Sequence, residues 1–132
     1  MIEKKLVRAR DVMRKQVPTI DGMATARDAA NMMKEHQVSS LIVNKRDEND
    51  AYGLISIQDL ITEVMIPARE ADMVNVYELM TKPIISVSAD MDIRYVIRLL
   101  HRVNMRRAPV EENGHLVGMV TLTSLVLDHD LF

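Results

Sequence analysis

The sequence predicts an α+β fold made of two βαββα repeats packed by pseudo-two-fold symmetry. Three observations predict it. The order of apolar and polar segments recurs at a shift of 67 residues, which carries Val12-Met13 onto Leu79-Met80. Each copy holds short apolar runs bounded by turn residues, the pattern of buried strands. Each copy also holds one stretch with apolar residues at i, i+3, i+4 and i+7, the pattern of a helix with one buried face.

The elements follow in order. Val17-Pro18-Thr19-Ile20 and its counterpart Ile84-Ile85-Ser86-Val87 read as first strands. A polar entry follows, Asp21-Gly22 or Ser88-Ala89-Asp90. The first helices come next, with apolar stripes at Ala26, Ala29, Ala30 and Met33, and at Ile93, Val96, Ile97 and Leu100. Leu41-Ile42-Val43 and Ala108-Pro109-Val110 read as second strands. Turns at 44–50 and 111–114 lead to returning strands Gly53-Leu54-Ile55 and Gly118-Met119-Val120, the second turn being two residues shorter. Second helices start near Ser56 and Thr121. The boundaries expected are a first repeat with its lead-in over 1–66, a connector over 67–76 and a second repeat over 77–132. A three-stranded sheet with two helices buries only one side well, so two units are expected to cover each other.

Composition narrows the function. No apolar run approaches the ~20 residues that span a bilayer, and the first residues, MIEKKLVRARD, lack the apolar centre of a secretory signal. A cytoplasmic protein without membrane contact is expected. The chain has no cysteine, which excludes disulfides and thiolate metal sites. A net charge of -2 with no Trp and one Phe provides neither a global field for nucleic acid nor aromatic platforms for bases. The four histidines show no third ligand at metal spacing, and Asp128-His129-Asp130 at a chain end reads as a frayed terminus. Nucleophile elbows, Walker loops and dinucleotide fingerprints are absent. No enzyme and no metal are expected.

The repeat resembles the CBS (cystathionine β-synthase) domain, and the tandem pair resembles a Bateman module. The resemblance rests on Arg10-Asp11-Val12-Met13, Leu79-Met80-Thr81-Lys82-Pro83, Gly53-Leu54-Ile55-Ser56-Ile57-Gln58-Asp59 and Met105-Arg106-Arg107-Ala108-Pro109-Val110. It covers nearly the whole chain. It implies a regulatory module without chemistry of its own, which holds an adenosyl ligand in a cleft between repeats. AMP is the first expectation and ADP or ATP the next. S-adenosylmethionine or NAD, or a structural dimerisation module with a vestigial site, are the alternatives.

The resemblance implies that Asp59 holds ribose hydroxyls, with Ser56 facing the sugar or phosphate. A carboxylate accepts two hydrogen bonds from a vicinal diol, each contributing about 1.5–3 kcal/mol when one partner is charged. Ser-x-x-Asp at a helix start also reads as a cap for free N–H groups, and Ser56 can serve both ends. Arg106 and Arg107 would reach phosphate with planar guanidinium forks. Adjacent residues of an extended chain point to opposite faces, so both reach one phosphate only if the backbone turns there. Salt bridges to Glu111 or Glu112 are the other reading. Lys82, Ile84 and Ile85 would join this site, with Leu54, Met105 and Pro109 as apolar wall. A second, weaker site would combine Thr121 and Ser124 with Ser39, Ser40, Thr19 and Ile20. It lacks the carboxylate and the arginine pair, so one strong site per chain is expected. The resemblance also implies a homodimer and an unidentified regulated protein, with Met65 and Met73 as candidate contacts.

Overall fold

A computed structural model describes residues 6–82 and 84–132. Its elements are α1 (Ala9–Val12), β1 (Thr19–Ile20), α2 (Ala26–His36), β2 (Ser40–Val43), β3 (Gly53–Ser56), α3 (Ile57–Leu60), α4 (Val76–Leu79), β4 (Val87–Ser88), α5 (Ile93–Arg102), β5 (Arg107–Glu112), β6 (His115–Thr121) and α6 (Leu122–Leu127). One π-helical turn, Ile61–Met65, continues α3, and a 3-10 turn spans Ala71–Met73. Two three-stranded sheets form, β1-β2-β3 and β4-β5-β6, each with a parallel and then an antiparallel pair. The α+β fold of two repeats stands.

The registers repeat as the sequences do. Ile20 faces Val43, which faces Gly53; at the sister positions Val87 faces Val110, which faces Gly118. β2 is buried along its whole length, as the apolar run Leu41-Ile42-Val43 requires, and Ser40 at its start is buried with it. Pro109 sits in the middle strand of its sheet, yet β4 pairs only with Val110 and Glu111. Its missing N–H therefore falls where β5 has β6 alone for a neighbour.

The first helices bury the expected stripes, with Ala26, Ala29 and Met33 on one and Ile93, Val96 and Leu100 on the other. Ala30 is the exception: it is exposed. The buried face of α2 is narrow, following i, i+3 and i+7 and leaving the flank at Ala30 in solvent. Thr25 caps α2, its hydroxyl accepting from the Asp28 amide at 3.1 Å while the Asp28 carboxylate accepts from the Thr25 amide at 3.0 Å. Gln37 ends the helix in the left-handed region at φ 54°.

The first strands are two residues long, shorter than the four-residue runs the sequence suggests. Pro18 has no N–H to extend the ladder of β1, and only its carbonyl takes part, from the Ile42 amide at 3.3 Å. The Ile84 amide donates to the Tyr52 carbonyl at 3.3 Å, so this residue runs beside the start of β3 instead of opening β4.

The chain forms two compact units, and they do not follow the repeats. One is Pro18–Ile84; the other joins residues 6–17 to residues 85–132. Each lead-in helix is built into the unit of the other repeat. In the second unit the Ala9 amide donates to the Met91 carbonyl at 2.9 Å and the Arg10 amide to Ala89 at 3.0 Å. In the first unit the equivalent bonds run from Val76 to Ala24 at 2.8 Å and from Tyr77 to Gly22 at 2.9 Å. The exchange buries apolar surface on both sides. Ala9 and Val12 join a core with Val96, Leu100 and Val120, while Val76 and Leu79 join Ile20, Ala29 and Ile55.

A methionine from each lead-in lies over the glycine that faces the middle strand. A Cβ built on Gly118 would stand 2.5 Å from the Met13 sulfur, and one on Gly53 would stand 2.8 Å from the Met80 sulfur. Only glycine lets the lead-in approach this closely. The segment expected as a connector, 67–76, makes contacts of its own with the first unit. Val74 is buried, its carbonyl accepts from the Ala26 amide at 2.8 Å, and Asp72 pairs with Arg27 at 2.6 Å.

Candidate functional site

In the first unit, Ser56 ends β3 and caps α3. The Asp59 Oδ2 atom accepts from the Ser56 amide at 2.8 Å and from its hydroxyl at 3.0 Å, and the Asp59 amide donates to the Ser56 Oγ at 3.3 Å. The capping role weighed from the sequence is therefore present. It consumes one carboxylate oxygen only. Among the described residues Oδ1 accepts no hydrogen bond, and both residues are half-buried. The cap thus orients Asp59 and leaves one acceptor for another partner.

Ser39 and Ser40 come to the same end of this sheet. Ser40 faces Ser56 across the β2–β3 ladder, and the Ser39 carbonyl accepts from the Ile57 amide at 2.9 Å. Leu54, two residues before Ser56, alternates to the same side of its strand and is half-buried. Thr19 and Ile20 occupy β1, with Ile20 in the core.

The second unit repeats this plan with different chemistry. The Arg106 carbonyl accepts from the Leu122 amide at 2.8 Å, and Arg107 faces Thr121 across the β5–β6 ladder. Thr121 caps α6 by accepting from the Ser124 amide at 3.2 Å, and the Ser124 hydroxyl donates back to the Thr121 carbonyl at 3.1 Å. Where the first unit has two serines beside a carboxylate, the second has two arginines beside a buried serine.

The chain reaches Arg106 through a left-handed residue, Asn104 at φ 57°, and the Met105 amide returns to the Leu100 carbonyl at 2.8 Å. Arg106 is exposed and Arg107 half-buried. Burial first, and then the like charge of Arg106, pushes the Arg107 guanidinium below its ordinary value. Both effects disfavour its charged form, and the attraction of a bound anion would offset them. Met105, which precedes the pair, is half-buried, as is Ile85 ahead of β4, while Pro109 is fully buried in β5.

Lys82 has a partner inside its own unit. Its ammonium lies 2.6 Å from each oxygen of Asp50, which also accepts from the Arg46 amide at 2.8 Å and the Arg46 Nε at 3.2 Å. The ammonium holds the Asp50 carboxyl well below the usual carboxylate range. This group lies at the end of the first sheet away from Ser56, because Lys82 follows Thr81, which bridges to Leu54. The sequence gives no spacing signal for it: 32 residues separate the two partners.

Among the described residues no three His, Asp or Glu side chains are grouped to hold a metal. Among the same residues no helix is long and apolar enough to cross a membrane.

The model of the CBS domain matches the chain twice, over residues 9–66 and 76–127. The chain belongs to the CBS domain family. An uncharacterised protein of Methanopyrus kandleri is 34% identical over 118 residues, covering 88% of this chain and 59% of its own length. The chain thus spans about three fifths of that relative's length. Among solved structures, a hexameric CBS-CP12 protein from bloom-forming cyanobacteria is 34% identical with a TM-score of 0.88, covering 95% of this chain and 72% of that one. A CBS domain pair solved in complex with methylthioadenosine and S-adenosyl-L-methionine shares the fold at 19% identity and a TM-score of 0.79, over 93% of this chain and 95% of that one.

Proposed function

We propose that this CBS pair is a regulatory module that binds an adenosyl ligand, with AMP the first candidate and ADP or ATP next. The observation that carries the proposal is the half-used carboxylate of Asp59. Its Oδ2 is fixed by Ser56 and its Oδ1 accepts nothing among the described residues. Such a group is pre-oriented to accept from a ribose diol without reorganisation. Ser56 hydrogen-bonds beside it, and Leu54 and Met105 contribute apolar surface for adenine. Arg106 and Arg107 supply positive charge for a phosphate, whose attraction offsets their mutual repulsion and the desolvation of Arg107. The CBS pair with two adenosyl compounds is a relative in fold and supports the ligand class.

The position equivalent to Asp59 in the second repeat is Ser124, and that of the arginines in the first is Ser39-Ser40. One strong site per chain follows. Self-association, as a homodimer or larger assembly, is supported by exposed apolar side chains at Met65, Ile66 and Met73, 70–79% exposed. Sedimentation velocity at micromolar protein would return a single monomer peak if that part is wrong.

Titration calorimetry with AMP tests the ligand assignment. Loss of one charged hydrogen bond, about 1.5–3 kcal/mol, weakens binding by at least tenfold. Asp59→Asn is the informative variant, because its amide oxygen still accepts from the Ser56 amide and preserves the cap. It should lose affinity tenfold or more with little loss of stability, and Arg106→Ala should do the same. Absence of heat and of thermal stabilisation with AMP, ADP, ATP, S-adenosylmethionine and NADH at millimolar levels would leave the structural dimerisation module as the reading.

A further inference from the structure

The first unit holds a cavity of about 680 Å³ at the end of its sheet away from Ser56 and Asp59. The register fixes this separation. Ser40 and Ser56 pair at one end of the β2–β3 ladder, and Val43 and Gly53 pair at the other. The loops after β1 and β2, carrying Gly22 and Lys45-Arg46, leave from the Val43 end, and Tyr77, Met80 and Lys82 complete the wall. A four-residue strand puts about 10 Å between the two ends.

The wall carries a small excess of positive charge. Lys45, Arg46 and Lys82 bring three cationic groups to it, while Asp21 in the wall and Asp50 behind it bring two carboxylates. The Asp21 Oδ1 atom accepts from the Met23 amide at 2.8 Å. Asp50 is nine-tenths buried and holds both Lys82 and Arg46 in place. Two ammonium contacts of Lys82 go to Asp50, which leaves one of its three donors without an acceptor among the described residues. Arg46 binds Asp50 through its backbone amide and Nε, and its side chain is 83% exposed, so the outer fork faces solvent. An ion pair this sheltered adds little net stability for the desolvation it costs. It does fix an ammonium and a guanidinium with donors to spare. Tyr77 and Met80 add apolar surface to the lining. The volume lies in the range of small-molecule sites.

We propose that this cavity is a second binding site, independent of the adenosyl reading, for a small organic oxyanion: a phosphate or carboxylate on a ring or short apolar body. Lys82 and the fork of Arg46 hold the oxyanion, Lys45 adds charge, and the body lies against Tyr77 and Met80. Lys82 then acts within its own unit, through its pair with Asp50.

The test is a titration of ¹⁵N-labelled protein followed by amide shifts at Gly22, Asn44 and Arg46, with phenyl phosphate, benzoate and inorganic phosphate as probes. Phenyl phosphate or benzoate should give saturable shifts with a Kd of about 1 mM or tighter, and inorganic phosphate should bind at least fivefold more weakly. Arg46→Ala, which removes an exposed side chain, should weaken the organic probes at least fivefold. Asp59→Asn should leave their shifts unchanged, so failure of the adenosyl reading and failure of this one are separable. No saturation by about 10 mM would overturn the site. An unchanged Kd in both Arg46→Ala and Lys82→Met would overturn the residue assignment. Equal affinity for inorganic phosphate would overturn the role of Tyr77 and Met80.

Discussion

Gly118→Ala adds a single methyl group at the place where the N-terminal lead-in docks on the second unit. The new Cβ would stand 2.5 Å from the Met13 sulfur, 2.8 Å from Met13 Cγ and 2.8 Å from the Arg14 carbonyl oxygen. Optimal non-bonded separation is about 3.5–4.0 Å, so all three contacts are repulsive. The thioether can rotate away, but the carbonyl cannot. Arg14 and Met119 exchange both backbone hydrogen bonds at 2.9 Å, which pins the lead-in to β6 beside residue 118. Relief therefore requires the segment to back off, stretching those bonds and loosening Ala9 and Val12 in the core. Overpacking costs about 1–3 kcal/mol and a weakened hydrogen bond about 1 kcal/mol, so a loss of about 2–3 kcal/mol is expected. Gly53→Ala is the internal comparison. Its Cβ would meet a mobile Met80 sulfur at 2.8 Å, but its backbone neighbour, the Thr81 carbonyl, lies at 3.3 Å. About 1 kcal/mol is expected there. Urea unfolding measures both, and hydrogen exchange at the Arg14 and Met119 amides reports undocking directly. A Gly118→Ala protein within about 0.5 kcal/mol of wild type, or a costlier Gly53→Ala, would refute the docking argument.

Three further outcomes are expected. The Asp50 carboxyl titrates below its unfolded value, so its contribution to stability is full above about pH 5 and is lost as the pH falls from about 4 through the folded-state value. The stability gap between wild type and Lys82→Met should accordingly be widest near neutrality and shrink toward pH 2; a constant gap in urea titrations across that range would refute the pairing. Thr25→Ala removes the hydroxyl that accepts from the Asp28 amide and should cost about 1 kcal/mol, read by thermal or urea unfolding. Leu100→Ala empties a position of zero exposure in the second core and should cost about 2–5 kcal/mol, and a loss below 1 would mean that α5 is not packed as described.

The candidate site was legible in part because a cap and a ligand group make the same demand on sequence. Ser-x-x-Asp predicted both, and the geometry shows the cap occupying one oxygen of Asp59 while the other stays open. The arginine pair was visible as charge before an apolar strand, but its repulsion and the burial of Arg107 arise only from the tertiary structure. The Asp50–Lys82 pair was not visible at all, since neither a helical nor a strand period relates residues so far apart.

By itself the sequence determined what local chemistry and periodicity can carry. That comprises two repeats, the order of their main strands and helices, most of the buried stripes of α2 and α5, and the cap at Ser56. The tertiary structure decided which unit each lead-in joins, where Ile84 pairs and which carboxylate takes Lys82. Those choices depend on which distant surface offers a glycine, a free carbonyl or a buried carboxylate, and no periodicity in the chain records them.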